Sequence, residues 1–388
     1  MIELTQQPRV RHSGRAEAAP IAFLRRLDWV LLGAAAALVA YGLWIVSGIT
    51  RFDIPGDESY YVLRQGVAAG IGIVGLIAAA VVPVDLARRH WRLIYGATLA
   101  LMIVVFVTAE TVRGSKRWID LGFIQFQPSE LGKVLFVLAI AGFLVERVGR
   151  VTRWRTIFSA ICLAAAPIVL VFMQPDLGTA LVYAGALFAV LFFVGVRWRQ
   201  LLALLAIAVV GIASVLWLLP EAGIQVLKPY QTARLTLDPD ADPSGITYNL
   251  DQSITAVGSG GLDGRGVIEA SQTRLDYLPE HATDFAFASL AEQRGFVGSS
   301  ILLLLYLLVV WRGLRVVTVA GDLFGAVVAG GLVFAFLFQV FVNVGMTMGV
   351  APVTGIPLPF VTVGGSSLVA NLLLVGVLQG IHARGEPL

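Results

Sequence analysis

Charged residues and cysteine are scarce in this sequence. Lys, Arg, Asp and Glu together make up 14% of its 388 residues, whereas a soluble domain carries about 25%. The single cysteine, Cys162, lies inside an apolar run, where it is expected to be a small core residue. One cysteine excludes an intrachain disulfide and a cysteine-based metal cluster. The formal net charge is +3, and we expect no nucleic-acid partner.

Hydrophobic residues are abundant: they make up 57% of the chain, and the mean hydropathy is +0.83. Ten apolar runs of about 20 residues predict an all-α polytopic integral membrane protein, embedded among membrane lipids. Irregular backbone cannot face lipid, so each run is expected to be a helix. The runs cover residues 28–49, 64–84, 92–109, 128–146, 156–173, 178–196, 200–219, 284–311, 323–348 and 366–383.

The distribution of basic residues predicts which ends of the spans face the cytoplasm. Basic segments recur at alternate ends of the runs: in the amino-terminal tail, at 87–92, 146–155, 197–199 and 312–315, and at Arg384. By the positive-inside rule, both termini are then cytoplasmic. We expect cytoplasmic tails at 1–27 and 384–388 and one membrane domain over 28–383. The first run is too long for a signal-peptide core, so we expect it to be retained.

Two of the predicted outer segments are unusual. Residues 220–283 are the one long polar stretch and are expected to form a large extracytoplasmic loop. Residues 349–367, GVAPVTGIPLPFVTVGGSS, are too apolar for an ordinary loop, and their prolines forbid a regular helix. Such backbone is tolerated at membrane depth only where protein or a cavity covers it. The stretch therefore predicts a re-entrant segment before the last helix.

Charged residues near the outer ends are candidates for binding an anionic ligand. Lys116 and Arg117 lie where the positive-inside rule disfavours them, next to Trp118. They suit a phosphate clamp or, alternatively, a basic loop at the lipid headgroups with Trp118 as an interface anchor. Glu130 and Lys133 are three residues apart and share a helix face. They are expected to border a polar cavity, with an interhelical clasp as the alternative.

The long loop adds further polar candidates, which are Lys228, Arg234, Gln252, Ser253 and Arg265. The last of these belongs to a glycine-rich stretch, VGSGGLDGRG. Glycine-rich backbone either binds an anion through successive N–H groups or is simply a turn. It lacks the spacing of a phosphate-binding P-loop.

The stretch YLPEHATDFAFASLAEQRG, residues 277–295, concentrates charge at the mouth of an apolar run. Thr283 is a candidate N-cap, which would place Asp284 in the first turn of the helix, close to Glu280 and His281. A carboxylate there either acts as a general base or only complements the helix dipole.

Two local contacts are also predicted. Asp176, in the short connection QPDLG, is expected to cap the helix that follows. Glu292 and Arg294 lie deeper along their run and are expected to pair with each other or with Lys133.

Six motifs, in their order along the chain, resemble those of the SEDS proteins (shape, elongation, division and sporulation), the family of RodA and FtsW. They are RWIDLGFIQFQPSELGK, QPDLGTA, KPYQTARL, QSITAVGSGGLDGRG, LPEHATDFAFASLAEQRGFVG and PVTGIPLPFVTVGGSS. NVGMTMGVAPVTGIPLPF is closer to the RodA, or elongation, branch. The chain has Thr362 and Val363 in TVGGSS, where the family usually has SYGGSS, and Gln293 in AEQRG, where a second acidic residue is commoner.

The resemblance implies a peptidoglycan glycosyltransferase that polymerises lipid II into glycan strands at the outer face of the bacterial cytoplasmic membrane during elongation. It implies that Asp284, in the TDF motif, is the essential aspartate, and that a class B penicillin-binding protein is the partner. The candidate substrate-binding residues are Lys116, Arg117, Trp118, Glu130, Lys133, Lys228, Arg234, Gln252, Ser253, Arg265, Glu280, His281 and Ser366.

Three other functions are compatible with the same features. They are a division polymerase of the FtsW branch, a flippase or transporter of the lipid-linked precursor, and a scaffold for a penicillin-binding protein. The sequence has no metal-ligand spacing and predicts no cofactor. A divalent cation held by pyrophosphate and Asp284 stays open as an alternative.

Overall fold

A computed structural model describes residues 23–108, 117–120, 122, 125–225, 227, 231–232, 234 and 245–385. The helices are α1 Trp29–Ile49, α2 Tyr60–Val81, α3 Val84–Arg89, α4 Trp91–Thr108, α5 Pro128–Val145, α6 Trp154–Met173, α7 Leu177–Phe193, α8 Trp198–Glu221, α9 Ile246–Ser259, α10 Gly266–Glu269, α11 Ser271–Arg274, α12 Ala286–Val319, α13 Leu323–Thr347 and α14 Gly365–Arg384. A two-residue hairpin pairs β1, Ile119–Asp120, with β2, Gln125–Phe126, and Val148–Arg150 is a 3₁₀ turn.

Each of the ten predicted runs is a helix, which confirms the all-α polytopic membrane fold. Within the described residues, nine helices of at least 18 residues are apolar enough to cross a membrane, and α7 has 17. A span needs roughly 17 to 25 residues. Consecutive spans alternate in direction. The α1–α2, α6–α7, α8–α12 and α13–α14 connections and the hairpin therefore share one end of the bundle, which we call the site end.

Aspartate caps begin three of the spans. Asp28 accepts hydrogen bonds from the N–H groups of Val30 and Leu31 at the start of α1. Asp322 does the same for Gly325 in α13. Asp176 accepts from the N–H of Thr179 in α7 at 3.0 Å, so the predicted cap is confirmed. Such caps satisfy amide groups that have no partner within the helix.

Small residues allow the spans to pack closely. A Cβ on Gly376 of α14 would overlap the backbone of Leu76 in α2, and a Cβ on Gly72 would overlap the side chain of Leu372. Close backbone approach is a main source of helix association in membranes. α5, α13 and α14 form the buried centre, whereas α8 is almost wholly exposed. Cys162 of α6 is also exposed, so its predicted place in the core is wrong.

The long helix α12 is broken at Gly295, where φ is 62° and ψ is −160°. The glycine-rich turn fills this break: Phe296 N–H donates to the Gly261 carbonyl, and Arg265 N–H donates to the Glu292 carbonyl. A Cβ on Gly264 would overlap the backbone of α12. Gly260 and Gly264 therefore allow close backbone packing, whereas Gly261 and Gly266 provide positive φ angles, as the turn alternative predicts.

The break also decides the partners of the charged residues beside it. Glu292 is fully buried and accepts hydrogen bonds from the N–H groups of Gln272 and Thr273 and from the Thr273 hydroxyl, at 2.7 to 2.9 Å. Arg294 lies over the Trp44 ring at 4.1 Å. The predicted pairing of Glu292 with Arg294 or Lys133 is therefore wrong, because Glu292 anchors α11 instead.

Candidate functional site

Asp284 lies in a turn at the site end, just before α12. The helix begins at Ala286, and the Thr283 hydroxyl donates to the Glu280 carboxylate at 2.8 Å. Thr283 is therefore not the N-cap, and Asp284 is not in the first helical turn, contrary to the prediction. Both residues are half-buried. Glu280, in the same turn, has a positive φ of 58°.

The α13–α14 connection forms one wall of the site. Over residues 349–364 it has no helix, and Thr354, Ile356 and Leu358 are almost completely buried. Gly355 has a φ of +70°, and a Cβ there would lie 3.1 Å from Asp284 Oδ2 and 3.6 Å from Arg234 Nη1. The absence of a side chain at this one position lets the carboxylate and the guanidinium approach the same stretch of backbone.

Arg234 is the candidate cation that the structure brings to Asp284. Its Nε is buried and has no hydrogen-bond partner within the described part of the chain. A buried donor without a partner is costly, and an anionic ligand would satisfy it. The structure therefore places an acidic group and a cation with a spare donor against the same glycine.

The buried ion pair of α5 is connected to the same wall. Lys133 Nζ lies 2.9 Å from Glu130 Oε2 and 2.8 Å from Gln339 Oε1, and Gln339 Nε2 donates to the Pro357 carbonyl at 2.7 Å. The predicted pair is confirmed. It borders a small cavity of about 10 Å³, room for about one water molecule. Glu130 Oε1 is buried and has no partner within the described residues.

Ser366 joins the hairpin to the start of α14. Its hydroxyl donates to the Gln125 carbonyl at 2.7 Å and accepts from the Gln127 N–H at 2.8 Å. Gln127 Nε2 then donates to Asp176 Oδ2 at 2.9 Å. Ser366 is therefore engaged in holding loops together at this end.

Arg117, which lies two residues before β1, is close to Asp176. Arg117 Nη1 is 4.0 Å from Asp176 Oδ1, and its guanidinium lies 5.3 Å from the centre of the Trp118 ring. Trp118 is half-buried. The hairpin thus brings a cation and an aromatic ring to the site end. Lys116 and Lys228 lie outside the described residues.

His281 connects the Asp284 turn to the α1–α2 connection. Its Nε2 is 3.0 Å from Asp53 Oδ1, and its Nδ1 is 3.5 Å from Asp276 Oδ1. Burial lowers the pKa of His281, but the hydrogen bond to Asp53 and the charges of Asp53 and Asp276 outweigh it. The net result is a pKa above the usual 6.5. His281 therefore favours the charged form, which these carboxylates stabilise.

Three predicted substrate-binding residues, Gln252, Ser253 and Arg265, lie in α9 and the glycine-rich turn. Ser253 is completely buried and donates to the Thr347 carbonyl at 2.9 Å, which ties α9 to α13. Gln252 is half-buried on the same helix. Arg265 is exposed, and its Nε donates to the Ser259 carbonyl at 3.0 Å. Ser253 thus has a structural contact, and Arg265 is engaged at the glycine-rich turn.

Three polar residues at the wall were missed by the sequence reasoning. Gln65 of α2 donates to the Thr362 carbonyl and accepts from the Gly364 N–H. Gln339 and Asn343 lie one turn apart in α13 and donate to the carbonyls of Pro357 and Ile356. Polar side chains one turn apart within an apolar span were a readable signal, because such groups need partners inside the membrane.

A second cavity is larger than the one beside Glu130. It is a groove of about 350 Å³ between α12 and α13, lined by residues such as Leu303, Leu337 and Phe341. The groove lining has no titratable acid or base other than Tyr306, whose hydroxyl donates to the Pro359 carbonyl. The groove therefore offers apolar contacts rather than acid–base groups. In the described ranges, no three His, Cys, Asp or Glu side chains come together to hold a metal ion.

Comparison with known proteins places this geometry in context. A family model described as "Cell cycle protein" and named for FtsW, RodA and SpoVE matches residues 25–386. Peptidoglycan glycosyltransferase MrdB of Escherichia coli (strain K12) is 36% identical over 363 residues, 93% of this chain and 96% of MrdB.

Two solved structures have the same architecture. A chain of a peptidoglycan synthase complex that coordinates polymerization and crosslinking matches with a TM-score of 0.75 and 32% identity, over 92% of this chain and 97% of that one. The rod-shape-determining protein RodA of Thermus thermophilus matches with a TM-score of 0.66 and 29% identity, over 92% and 96% of the two chains.

Proposed function

Because the chain belongs to the FtsW/RodA/SpoVE family and is a peptidoglycan glycosyltransferase of the elongation type, we propose that Asp284 is its catalytic base and lipid II its substrate. The observation that carries this proposal is the placement of Asp284 and Arg234 against Gly355. A base and a cation at one point suit a reaction in which a hydroxyl loses a proton while a phosphate group leaves.

The reaction is the transfer of a glycan from one lipid-linked sugar to another. A hydroxyl of the acceptor sugar attacks the anomeric carbon of the donor, and its proton passes to the Asp284 carboxylate. The bond between the anomeric carbon and the pyrophosphate oxygen breaks, and its electron pair stays on the lipid pyrophosphate. This leaving group is already stable as an anion, so a second carboxylate, as in glycoside hydrolysis, is not needed.

Arg234 is the first candidate to stabilise the leaving pyrophosphate. Its unsatisfied Nε and its proximity to Asp284 support this role, since cations aimed at developing negative charge lower a barrier. Arg117 is the second candidate, and Lys116 and Lys228 remain proposals from the sequence. No resident cofactor is part of this proposal. A divalent cation held by the pyrophosphate and Asp284 is the alternative, which EDTA treatment tests.

The remaining candidates are proposed to shape the binding site. Glu130 and Lys133, through Gln339, brace the 349–364 wall. Glu280, His281 and Ser366 hold the turn and the hairpin beside it. Gln252 and Ser253 lie in α9, and Arg265 lies in the glycine-rich turn, further along the same connection.

The partner that we propose is a class B penicillin-binding protein, which crosslinks the strands that this chain polymerises. The matched chain from a synthase complex that coordinates the two reactions supports this proposal. The membrane arrangement that we propose has both termini in the cytoplasm of a bacterium and the site end outside its cytoplasmic membrane, consistent with the basic residues opposite the site end.

The activity is tested with purified protein and lipid II in detergent, with and without the partner and with EDTA. We expect glycan polymer as the product, whereas a flippase or a scaffold would give none in the absence of a bilayer.

The orientation is tested by cysteine labelling. In a Cys162→Ser background, Glu58→Cys lies at the site end and Gly149→Cys at the opposite end. A membrane-impermeant maleimide should label position 58 in spheroplasts and position 149 only after permeabilisation. The reverse pattern would refute the orientation.

A further inference from the structure

Three consecutive backbone carbonyls of the Asp284 turn are held by donors from outside the turn. The Ala282 carbonyl accepts from the Val363 N–H at 3.0 Å. The Thr283 carbonyl accepts from the Thr362 hydroxyl at 3.0 Å. The Asp284 carbonyl accepts from Asn343 Nδ2 at 3.0 Å. Two different elements, α13 and the 349–364 wall, thus hold the backbone of Ala282, Thr283 and Asp284 in place.

The Thr362 side chain is itself fixed by a second hydrogen bond. Its hydroxyl accepts from the Leu358 N–H at 2.7 Å while it donates to the Thr283 carbonyl. The side chain is only 5% exposed. A hydroxyl used as both donor and acceptor has one allowed direction, so the contact with the Asp284 turn is directional.

Asn343 is fixed in the same way. Its amide nitrogen donates to the Ile356 carbonyl at 2.7 Å as well as to the Asp284 carbonyl, and the residue is fully buried. The opposite orientation of the amide would place its oxygen against two carbonyl oxygens, which would be repulsive. Asn343 therefore ties the Asp284 backbone to the residue that follows Gly355.

We propose that Asn343 and Thr362 are positioning residues, which act through the backbone of the Asp284 turn to set the place of the Asp284 carboxylate. The proposal rests on the proposed role of Asp284 as the base. Because Asp284 precedes α12, the regular helix does not hold it, and these side chains replace the constraint. A displacement of about 1 Å at a reacting group costs about a hundredfold in rate.

The sharpest test compares Thr362→Val with Thr362→Ser. Valine keeps the shape and removes the hydroxyl, whereas serine keeps the hydroxyl. We expect Thr362→Val to lower kcat for lipid II polymerisation by about a hundredfold, with KM changed less than about threefold, and Thr362→Ser to stay near the wild type. The matched control is Thr98→Val, because the buried Thr98 hydroxyl donates only to the Ile94 carbonyl of its own helix.

Asn343→Leu provides an independent measurement. We expect a similar loss of kcat with KM retained. Its control is Gln200→Met, since the buried Gln200 amide donates to the Thr152 carbonyl at the opposite end of the bundle. Rates are taken per folded molecule, from the monodisperse gel-filtration fraction. If Asn343→Leu does not yield folded protein, the Thr362 pair alone decides the question.

An Asp284→Asn arm separates the two proposals. If Asp284→Asn is inactive while folded Thr362→Val keeps the wild-type kcat, the positioning proposal is overturned and the base remains. Equal losses of kcat in Thr362→Val and Thr362→Ser would also overturn it, because the hydroxyl would then not matter. If Asp284→Asn polymerises like the wild type, the proposed base itself fails.

Discussion

Asp284 Oδ2 lies 3.1 Å from the position that a Cβ would occupy on Gly355. Gly355 also has a φ of +70°, a conformation that residues with a side chain rarely adopt. Two requirements therefore meet at one glycine: the turn of the backbone and the room for the carboxylate. They can be separated by experiment, because a second glycine in the chain has only the first of them.

We expect Gly355→Ala to lower kcat, by up to about tenfold, because the new methyl group would shift the Asp284 carboxylate from its position. The matched control is Gly56→Ala, since Gly56 has a φ of +87° and nothing within 4 Å of its Cβ position. Both variants should lose about 1–2 kcal/mol of stability from backbone strain. Thermal unfolding and polymerisation rates measure the two effects, and equal activity of the two variants would contradict this explanation.

Removing one partner of the buried pair on α5 should destabilise the protein. Lys133→Met leaves the Glu130 carboxylate buried without its 2.9 Å partner, and such a loss costs about 3–5 kcal/mol. The double variant Glu130→Gln/Lys133→Met should recover part of it. Thermal unfolding in detergent is the measurement.

An exposed ion pair provides the control for that experiment. Arg51 and Glu58 lie 3.1 Å apart, with side chains 46% and 64% exposed. Arg51→Met should therefore cost less than about 1 kcal/mol. A comparable loss in Arg51→Met and Lys133→Met would show that burial of the α5 pair is not what makes it important.

The His281 contacts predict a pH dependence of stability. The folded-state pKa of His281 is raised above 6.5 because the carboxylates of Asp53 and Asp276 outweigh the effect of burial. The stabilisation by charged His281 is therefore complete below the unfolded pKa near 6.5 and is lost as the pH rises through the folded pKa. Its size is expected to be about 1 kcal/mol or less.

Thermal unfolding from pH 5.5 to 9 measures this effect. The stability difference between the wild type and His281→Gln should shrink as the pH rises above about 6.5. Asp53→Asn should weaken the same dependence, because it removes the nearest carboxylate. A difference that grows with pH would have the wrong sign for a raised pKa.

The spans and the location of the site were predictable from the sequence. A run of about 20 apolar residues in lipid is expected to be a helix. The basic segments at alternate ends predicted that consecutive spans run in opposite directions. The motif around Asp284 was also predicted to lie at the mouth of a span. Local signals of this kind, such as the Asp176 cap or the spacing of Glu130 and Lys133, depend on neighbours in sequence.

Long-range contacts decided the details that were wrong. Thr283 has the residue type of an N-cap, but its hydroxyl is used by Glu280, and its carbonyl is used by Thr362. Glu292 was expected to pair with a cation, but the break at Gly295 brings α11 onto it. Glu280 is only three residues from Thr283, but Thr362 is 79 residues away from it, and Thr273 of α11 is 19 residues from Glu292. Propensity cannot reveal such distant partners.

Thr362 shows how a departure from the family pattern is explained by the structure. The usual serine is replaced by threonine, which keeps the hydroxyl that bonds to Thr283. Val363, in place of tyrosine, contributes its N–H to the Ala282 carbonyl. A backbone donor is independent of the side chain, so neither substitution removes a contact with the Asp284 turn.

The central claim is that Asp284 takes the proton from the acceptor hydroxyl, and the rate of lipid II polymerisation by purified Asp284→Asn protein tests it most directly. Asparagine keeps the shape of the side chain but cannot accept the proton. We expect kcat to fall by about 10²- to 10⁴-fold, with an unfolding temperature close to that of the wild type. A folded Asp284→Asn protein that polymerises lipid II at the wild-type rate would contradict the account.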